Sequence, residues 1–258
     1  MASAAEDRPV KIRLRGVEKA FGPKVVLDGV DLDVYEGESV VVIGASGVGK
    51  SVLIKHVIGL LAPDRGTVEV DGVSIHDLGN REITEFRRRF GMAFQEGALF
   101  DSMNVHDNVA FALRRRAKLS PAEIDRRVSG CLELVHLSGV EKKMPSELSG
   151  GMRRRVGFAR AIAHEPAILL FDEPTSGLDP VTTAVIDDVI VELLDRLDST
   201  AVTITHDMTS AFRIADRIGM LHQGRIIAIA PPDELRQLDD PRVQQFIRGL
   251  AEGPLSEG

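Results

Sequence analysis

A glycine-rich segment matches the pattern G-x-x-x-x-G-K-[ST] in full, which limits the fold to those that set a phosphate-binding loop between a strand and a helix. Its residues are Gly44, Ala45, Ser46, Gly47, Val48, Gly49, Lys50 and Ser51. The apolar run 39–43 predicts a buried parallel strand before the loop, and residues 51–61 predict a helix after it. Successive backbone N–H groups of such a loop turn toward phosphate oxygens, and the helix N-terminus adds positive potential. Lys50 can then reach the β- and γ-phosphates and Ser51 can bind Mg²⁺, so the sequence predicts a nucleoside triphosphate site.

Two acidic residues, Asp172 and Glu173, end a second apolar run that begins at Ile168. A buried parallel strand delivers such side chains at its carboxyl end, on the edge of the sheet where the phosphate loop also lies. Asp172 is therefore expected to hold Mg²⁺, directly or through water. Glu173 is expected to polarise the attacking water as a general base.

Composition sets limits on the class of protein. The 258 residues are 43% hydrophobic and 28% charged, as in an ordinary globular chain, and the net charge of −7 argues against a general nucleic-acid binder. No apolar run approaches the roughly 18 residues that cross a bilayer, and the N-terminus lacks a signal-peptide core. The single cysteine, Cys131, lies in a helical pattern and is expected to be a core residue, which fits a reducing cytoplasm.

The order of predicted elements indicates an α/β fold. Residues 9 to about 35 predict strands with a turn at Gly22-Pro23, and the stretch from about 104 to 164 is helical, with an N-terminal cap at Ser120. Further strands are predicted at 67–70, 167–171, 200–205 and 225–230, with a helix around 180–196. This alternation indicates a mostly parallel sheet covered on both faces, with a helical lobe inserted into it.

Several further segments together resemble the motifs of ATP-binding-cassette ATPases, in that family's order and over nearly the whole chain. They are Lys19-Ala20-Phe21-Gly22, Phe94-Gln95-Glu96, Leu148-Ser149-Gly150-Gly151-Met152, Ser176-Gly177-Leu178-Asp179 and Thr205-His206-Asp207. The resemblance implies a P-loop ATPase core with an N-terminal antiparallel β subdomain and an inserted α-helical subdomain at about 96–165. It also implies a single nucleotide-binding domain over 9–238, followed by a tail at 239–258.

The resemblance also implies roles for these residues in binding and hydrolysing ATP with Mg²⁺. Phe21 would stack on the adenine ring, Gln95 would sense Mg²⁺ and the transporter domain, and His206 would contact the γ-phosphate. With Glu173 and Lys50, Gln95 and His206 make up the expected catalytic set.

A head-to-tail dimer follows from the same resemblance. Ser149, Gly150 and Gly151 would open a helix whose N-terminus needs an anion, and the family supplies it from the γ-phosphate held by a second copy of the chain. Asp179 lies in the loop that would cross this interface. Met152 departs from the glutamine that is commonest there, without loss of the serine and glycines that contact phosphate.

The arginine run 153–155 follows the signature in the same helix. The sequence leaves two interpretations open, a solvated basic face or a role near phosphate or partner.

A narrower resemblance is to the ATPase subunits of Mla- and Mce-type lipid transporters. It rests on the residues 51–61, 97–102 and 240–249 and on the signature that ends in Met152. It implies an integral-membrane permease, an Mce-domain lipid-binding protein, phospholipid as cargo, and a peripheral position on the cytoplasmic face of the inner membrane. Leu99 lies where the family's groove receives a short helix of the permease.

Alternatives remain at this level. The chain could be the ATPase of an amino-acid, metal or osmolyte importer, although the regulatory C-terminal domains common there are absent from the sequence. A cassette acting on ribosomes or DNA usually carries two cassettes or a long coiled coil, and Lys50, Asp172, Glu173 and His206 together argue against a degenerate scaffold. The tail could cap its own subunit or reach across the dimer.

Overall fold

Helices and strands alternate along most of the chain, in a computed structural model that describes residues 8–116 and 119–256. The strands are β1 (Val10–Phe21), β2 (Lys24–Tyr35), β3 (Ser39–Ile43), β4 (Arg65–Val70), β5 (Val73–Ser74), β6 (Phe90–Ala93), β7 (Ile168–Asp172), β8 (Thr200–Thr205), β9 (Arg217–His222) and β10 (Arg225–Ala230). The α-helices are α1 (Lys50–Val57), α2 (Asn80–Phe86), α3 (Val105–Arg116), α4 (Pro121–Leu134), α5 (Gly150–Ile162), α6 (Pro180–Leu197), α7 (Met208–Ile214), α8 (Pro232–Gln237) and α9 (Pro241–Arg248). Short 3₁₀ turns lie at Ile75–Asp77, Arg87–Arg89 and Pro145–Glu147.

The chain divides into two units. The first contains the residues up to Ile83 and those from Ile204 onward, and the second contains Thr84–Thr203. The helical lobe expected at about 96–165 falls within the second unit.

The first unit contains an antiparallel sheet in the order β2-β1-β4-β5. Ile12, Leu14 and Val17 of β1 are buried, and Leu14 pairs with Leu32 of β2 and Val68 of β4. This confirms the strands and the turn expected over 9–35. The unit also carries the strand order β10-β9-β3, with β9 parallel to β3 and antiparallel to β10.

The strand before the phosphate loop, β3, is buried at every residue. A strand covered on both faces needs a continuous run of apolar, mostly β-branched residues, which Val40 to Ile43 supply. At its start the fully buried carboxylate of Glu38 pairs with the guanidinium of Arg217 on β9 at 3.0 Å. The pair therefore fixes the amino end of the strand that leads into the loop.

In the second unit β6 and β7 are parallel, with Phe90 opposite Ile168 and Ala93 opposite Phe171. Their carboxyl ends consequently lie at one edge. The rings of Phe158 on α5 and Phe171 on β7 meet edge to face at 5.2 Å, which holds α5 against the sheet.

The N-terminal cap expected at Ser120 is confirmed, because its side chain accepts from the backbone N–H of Glu123, whose carboxylate bonds back to Ser120. Cys131 is buried as expected, and burial raises the pKa of its thiol to about 11.

Some boundaries and elements differ from those the sequence predicts. The helix expected over 51–61 ends at Val57, because Gly59 takes a φ of 70° and the N–H groups of Leu60 and Leu61 fold back onto the carbonyl of Lys55. Strands β5, β6 and β9 have no counterpart among the predicted elements. None of the helices in residues 8–116 and 119–256 has both the length and the apolar character that a bilayer crossing requires.

Candidate active site

The phosphate loop is shaped by glycines that no other residue can replace without strain. Gly44 and Gly49 have φ values of 155° and 114°. A Cβ at Gly44 would lie 2.4 Å from the carbonyl oxygen of Leu221, and one at Gly49 would lie 3.0 Å from that of Val26. The backbone is therefore packed against its neighbours on one side, while residues 45–47 are exposed on the other.

Helix α1 begins at this loop without a side-chain cap, since its N-cap residue is Gly49. The first N–H groups of a helix need acceptors, and an anion can supply them. Lys50 is buried and its ammonium donates to the carbonyls of Gly44 at 2.8 Å and Ala45 at 3.2 Å, so it curls over the loop. Ser51 is half-buried in the first turn of the helix. The loop thus fits a polyphosphate on the evidence of its own backbone.

The first unit also contains Phe21 and His206. Phe21 ends β1 with 48% of its surface exposed, and the ammonium of Lys19 lies 5.7 Å from its ring. An exposed aromatic ring at a strand end is available for stacking. His206 is exposed directly after β8, and the next residue, Asp207, caps α7 by accepting from the N–H of Thr209 at 2.8 Å.

The second unit brings Gln95 together with the loop that follows the acidic pair. Gln95 follows β6, and Asp172 and Glu173 come at the end of the adjacent parallel strand β7. The side-chain nitrogen of Gln95 donates to Ser176 Oγ at 3.3 Å. Its amide oxygen is the atom suited to a hard cation such as Mg²⁺.

Glu173 has a positive φ of 50°, which is uncommon for a residue with a side chain. Tight turns follow it, because the N–H of Ser176 bonds the carbonyl of Glu173 at 3.3 Å and that of Leu178 bonds Thr175 at 3.2 Å. Such strain persists where the surroundings fix it, often at functional sites.

The predicted signature opens α5. Ser149 is exposed and caps the helix by accepting from the N–H of Met152 at 3.2 Å. The first turn contains no acid. Gly151 leaves no room for a side chain, since a Cβ there would lie 2.7 Å from the methyl carbon of Thr182. This helix end is therefore electropositive and suited to an anion.

Asp179 has a visible role in the fold. It caps α6 by accepting from the N–H groups of Val181 and Thr182, each at 3.0 Å. The hydroxyl group of Thr182 also donates to this carboxylate. That bond is the main cause that lowers the pKa of the Asp179 carboxyl group, and the two N–H groups lower it further.

The arginine run 153–155 does not form a solvated face. Arg153 donates to the carbonyl of Leu148 at 2.8 Å, and Arg155 donates to that of His136 at 2.9 Å. Arg154 is buried and donates to the carbonyls of Gln95 and Ser176. The sequence did not identify Arg154 as a site residue; its only signal was a basic run without acids at helical spacing.

A cavity of about 490 Å³ lies in the second unit beside the Gln95 segment. Ala98, Leu99 and Leu178 give its wall apolar surface, and Glu96 and Arg153 give it charge. Leu99 is half-buried there. The cavity is large enough for the side chains of a docked helix.

Comparisons with known proteins agree with this geometry. The model of a family described as ABC transporter matches residues 27–176. The chain is 44% identical over 246 residues to the probable ribonucleotide transport ATP-binding protein mkl of Mycobacterium leprae, covering 95% of this chain and 71% of that protein. It is 41% identical over 244 residues to the intermembrane phospholipid transport system ATP-binding protein MlaF of Escherichia coli (strain K12), covering 95% of this chain and 91% of that protein.

Solved structures share the fold. The ATP-binding cassette MJ0796, as a dimer in a post-hydrolysis state bound to ADP and Pi, superposes with a TM-score of 0.78 at 32% identity, over 86% of this chain and 98% of that one. The protein cbiO1 from Clostridium perfringens, part of the ABC transporter complex cbiONQ, gives a TM-score of 0.82 at 29% identity, over 89% and 92% of the two chains.

Proposed function

This chain belongs to the ABC transporter family as an ATP-binding and ATP-hydrolysing subunit, and on that premise we propose that it drives the movement of phospholipid by a membrane permease. The observation that carries the cargo proposal is the similarity to MlaF, which extends over 95% of this chain and nearly the full length of that protein. Because the cargo contacts the permease and not this chain, the ATPase site supports only the hydrolysis of ATP. The support for phospholipid as the cargo comes from the relatives.

The proposed reaction is attack of water on the γ-phosphate of ATP. Lys50 and the N–H groups of the phosphate loop bind the β- and γ-phosphates, and Phe21 stacks on adenine. Ser51, Gln95 and Asp172 hold Mg²⁺, which neutralises charge on the phosphates when it is bound. Glu173 accepts the proton of the attacking water, and His206 contacts the γ-phosphate. The uncapped start of α1 and the strained backbone of Glu173 support these roles.

The proposed active form is a head-to-tail pair of chains. The start of α5, with Ser149, Gly150 and Gly151, binds the γ-phosphate held by the second copy, and the loop with Asp179 lies at the interface. The acid-free first turn of α5 and the exposure of Ser149 support this role, as does the similarity to a cassette solved as a dimer. No nucleic acid takes part.

The proposed membrane partner docks at the cavity beside Leu99. A short helix of the permease fills it with apolar side chains, and an Mce-domain protein binds the lipid. In this proposal the chain is a peripheral subunit on the cytoplasmic face of the inner membrane.

The test is an affinity pull-down of the full chain from detergent-solubilised membranes of its own host, with partners identified and lipids extracted. A permease, an Mce-domain protein and phospholipid are expected. A different permease with a soluble binding protein, or with ribonucleotide as the transported molecule, would overturn the lipid proposal. Ribosomal or DNA-bound partners without a membrane protein would overturn transport.

The docking surface is tested in the same pull-down with Leu99→Asp. This variant is expected to bind ATP normally and to lose the permease. Leu60→Asp is the matched control, because Leu60 is also an apolar residue near the surface, exposed by 50%, but lies outside the cavity. Normal recovery of the permease with Leu99→Asp would remove this surface from the proposal.

A further inference from the structure

Arg154 connects two loops through their backbones. Its Nε donates to the carbonyl oxygen of Gln95 at 2.5 Å, and its Nη2 donates to the carbonyl oxygen of Ser176. The residue is 7% exposed. Its Nη1 is buried and has no hydrogen-bond partner within the described residues. The guanidinium thus bridges the segment after β6 and the loop after β7.

Burying a cation between two carbonyls contributes little to the free energy of unfolding, because desolvation of the charge opposes the gain from the hydrogen bonds. Burial lowers the pKa of Arg154, which reports the desolvation of its charge. An apolar side chain would fill the same volume without that desolvation. What the guanidinium supplies is geometry, since its planar fork fixes the two acceptors relative to each other.

The segment 95–98 is bound to α5 at further points. Arg160 donates to the carbonyls of Ala98 at 2.7 Å and Gly97 at 2.9 Å. Gly97 and Gly157 touch directly, because a Cβ at Gly157 would lie 2.8 Å from the Cα of Gly97. With no side chains between them, the segment cannot shift without moving the helix.

Ser176 belongs to the turns that immediately follow Glu173. Its Oγ also accepts from the side chain of Gln95 at 3.3 Å. We infer that Arg154 is a positioning residue for ATP hydrolysis, which locks the backbone of Gln95 to that of Ser176 and so couples the segment 95–98 to the loop that carries Glu173. The inference rests on the roles proposed for Gln95 and Glu173.

Loss of Arg154 therefore uncouples the segment 95–98 from the loop after β7 without removing a group that contacts ATP. Small displacements of reacting groups are sufficient to slow catalysis by one to two orders of magnitude. For Arg154→Ala we expect a fall of about tenfold in kcat with less than about a twofold change in ATP affinity.

The experiment combines ATPase kinetics with hydrogen–deuterium exchange on the full chain. In Arg154→Ala the amides of Gly97, Ser176 and Leu178 are expected to exchange faster, because their turns lose the anchor between them. Arg154→Lys keeps the charge but cannot bind both carbonyls in a fork, so it is expected to be intermediate in both measurements. This variant also serves if Arg154→Ala does not fold.

Arg155→Ala is the matched control. Arg155 lies on the same helix and binds the carbonyls of Val135 and His136 instead. The Arg155→Ala substitution is expected to speed amide exchange near residues 135–137 and to leave kcat within about twofold of the parent. If Arg154→Ala leaves either kcat or the exchange at 97 and 176–178 unchanged, or if Arg155→Ala changes both in the same way, the inference is wrong. The exchange measurement tests the coupling of the two loops whether or not Gln95 and Glu173 have the proposed roles. The role of Glu173 is tested separately by its substitution.

Discussion

The carboxylate of Glu38 is fully buried and pairs with the guanidinium of Arg217 at 3.0 Å, joining the start of β3 to the start of β9. Burial is the main cause that raises the pKa of Glu38, against the opposing contacts from the Tyr35 N–H and Arg217. The pair therefore fixes the strand that leads into the phosphate loop at a considerable desolvation cost.

Glu38→Ala is expected to lower the free energy of unfolding by about 3 kcal/mol, because it leaves the Arg217 charge unpaired in a site of low polarity. Urea denaturation measures the change. Asp28→Ala is the matched control, because Asp28 pairs with Arg225 on the surface, where ion pairs contribute less than about 1 kcal/mol. Equal effects of the two substitutions would contradict this account.

His56 is expected to make the fold sensitive to acid. It is fully buried on α1, its Nδ1 lies 2.7 Å from the carbonyl of Val52, and burial lowers its pKa below the ordinary 6.5. Below pH 6.5 the unfolded chain gains a proton that the folded chain resists, so stability falls as the pH falls. One such proton contributes at most about 1.4 kcal/mol per pH unit.

The measurement for His56 is urea denaturation at pH 7.5 and 5.5. His56→Leu is expected to lose less stability between the two pH values than the parent. An unchanged difference would assign the acid sensitivity to other groups.

Lys50→Ala is expected to weaken ATP binding by tenfold or more, since it removes charge-assisted hydrogen bonds of about 1.5–3 kcal/mol to the phosphates. A fluorescent ATP analogue in equilibrium titration measures it. Lys55→Ala is the control, because Lys55 lies on the same helix but is exposed on another face. Undiminished affinity in Lys50→Ala would exclude Lys50 from the phosphate site.

Glu173→Gln is expected to bind ATP and to lose at least about a hundredfold in kcat, because the amide cannot accept the proton of the attacking water. The chain is then expected to elute as an ATP-bound dimer in size-exclusion chromatography. Glu165→Gln changes an exposed acid of the same unit and should behave as the parent. Normal turnover in Glu173→Gln would assign the general base to another group.

The phosphate loop and the acidic strand were predictable because their chemistry needs a fixed residue order. Gly44 and Gly49 have positive φ values, which fit the curled loop that the pattern predicts. The apolar spacing that continues through residues 58–61 predicts a longer helix, yet the turn at Gly59 depends on a backbone conformation that periodicity does not encode.

Arg154 could not be identified in the same way. Its partners, Gln95 and Ser176, are backbone carbonyls, and any residue provides a carbonyl, so the sequence carries no complementary signal. Strands β6 and β9 are short apolar segments beside charged residues, and their pairing is determined by distant parts of the chain rather than by local pattern.

The parallel pairing of Phe90 with Ile168 and Ala93 with Phe171 affects how the ends of β6 and β7 respond to amino-acid substitution. The distance from the end of β6 to the end of β7 is set by main-chain hydrogen bonds, which substitutions other than proline leave in place. A slip of one residue would move Gln95 by about 3.3 Å and turn alternate side chains to the opposite face of the sheet. The ladder itself thus holds the two strand ends side by side, and Gln95 and Asp172 each lie within two residues of the last paired residues, Ala93 and Phe171.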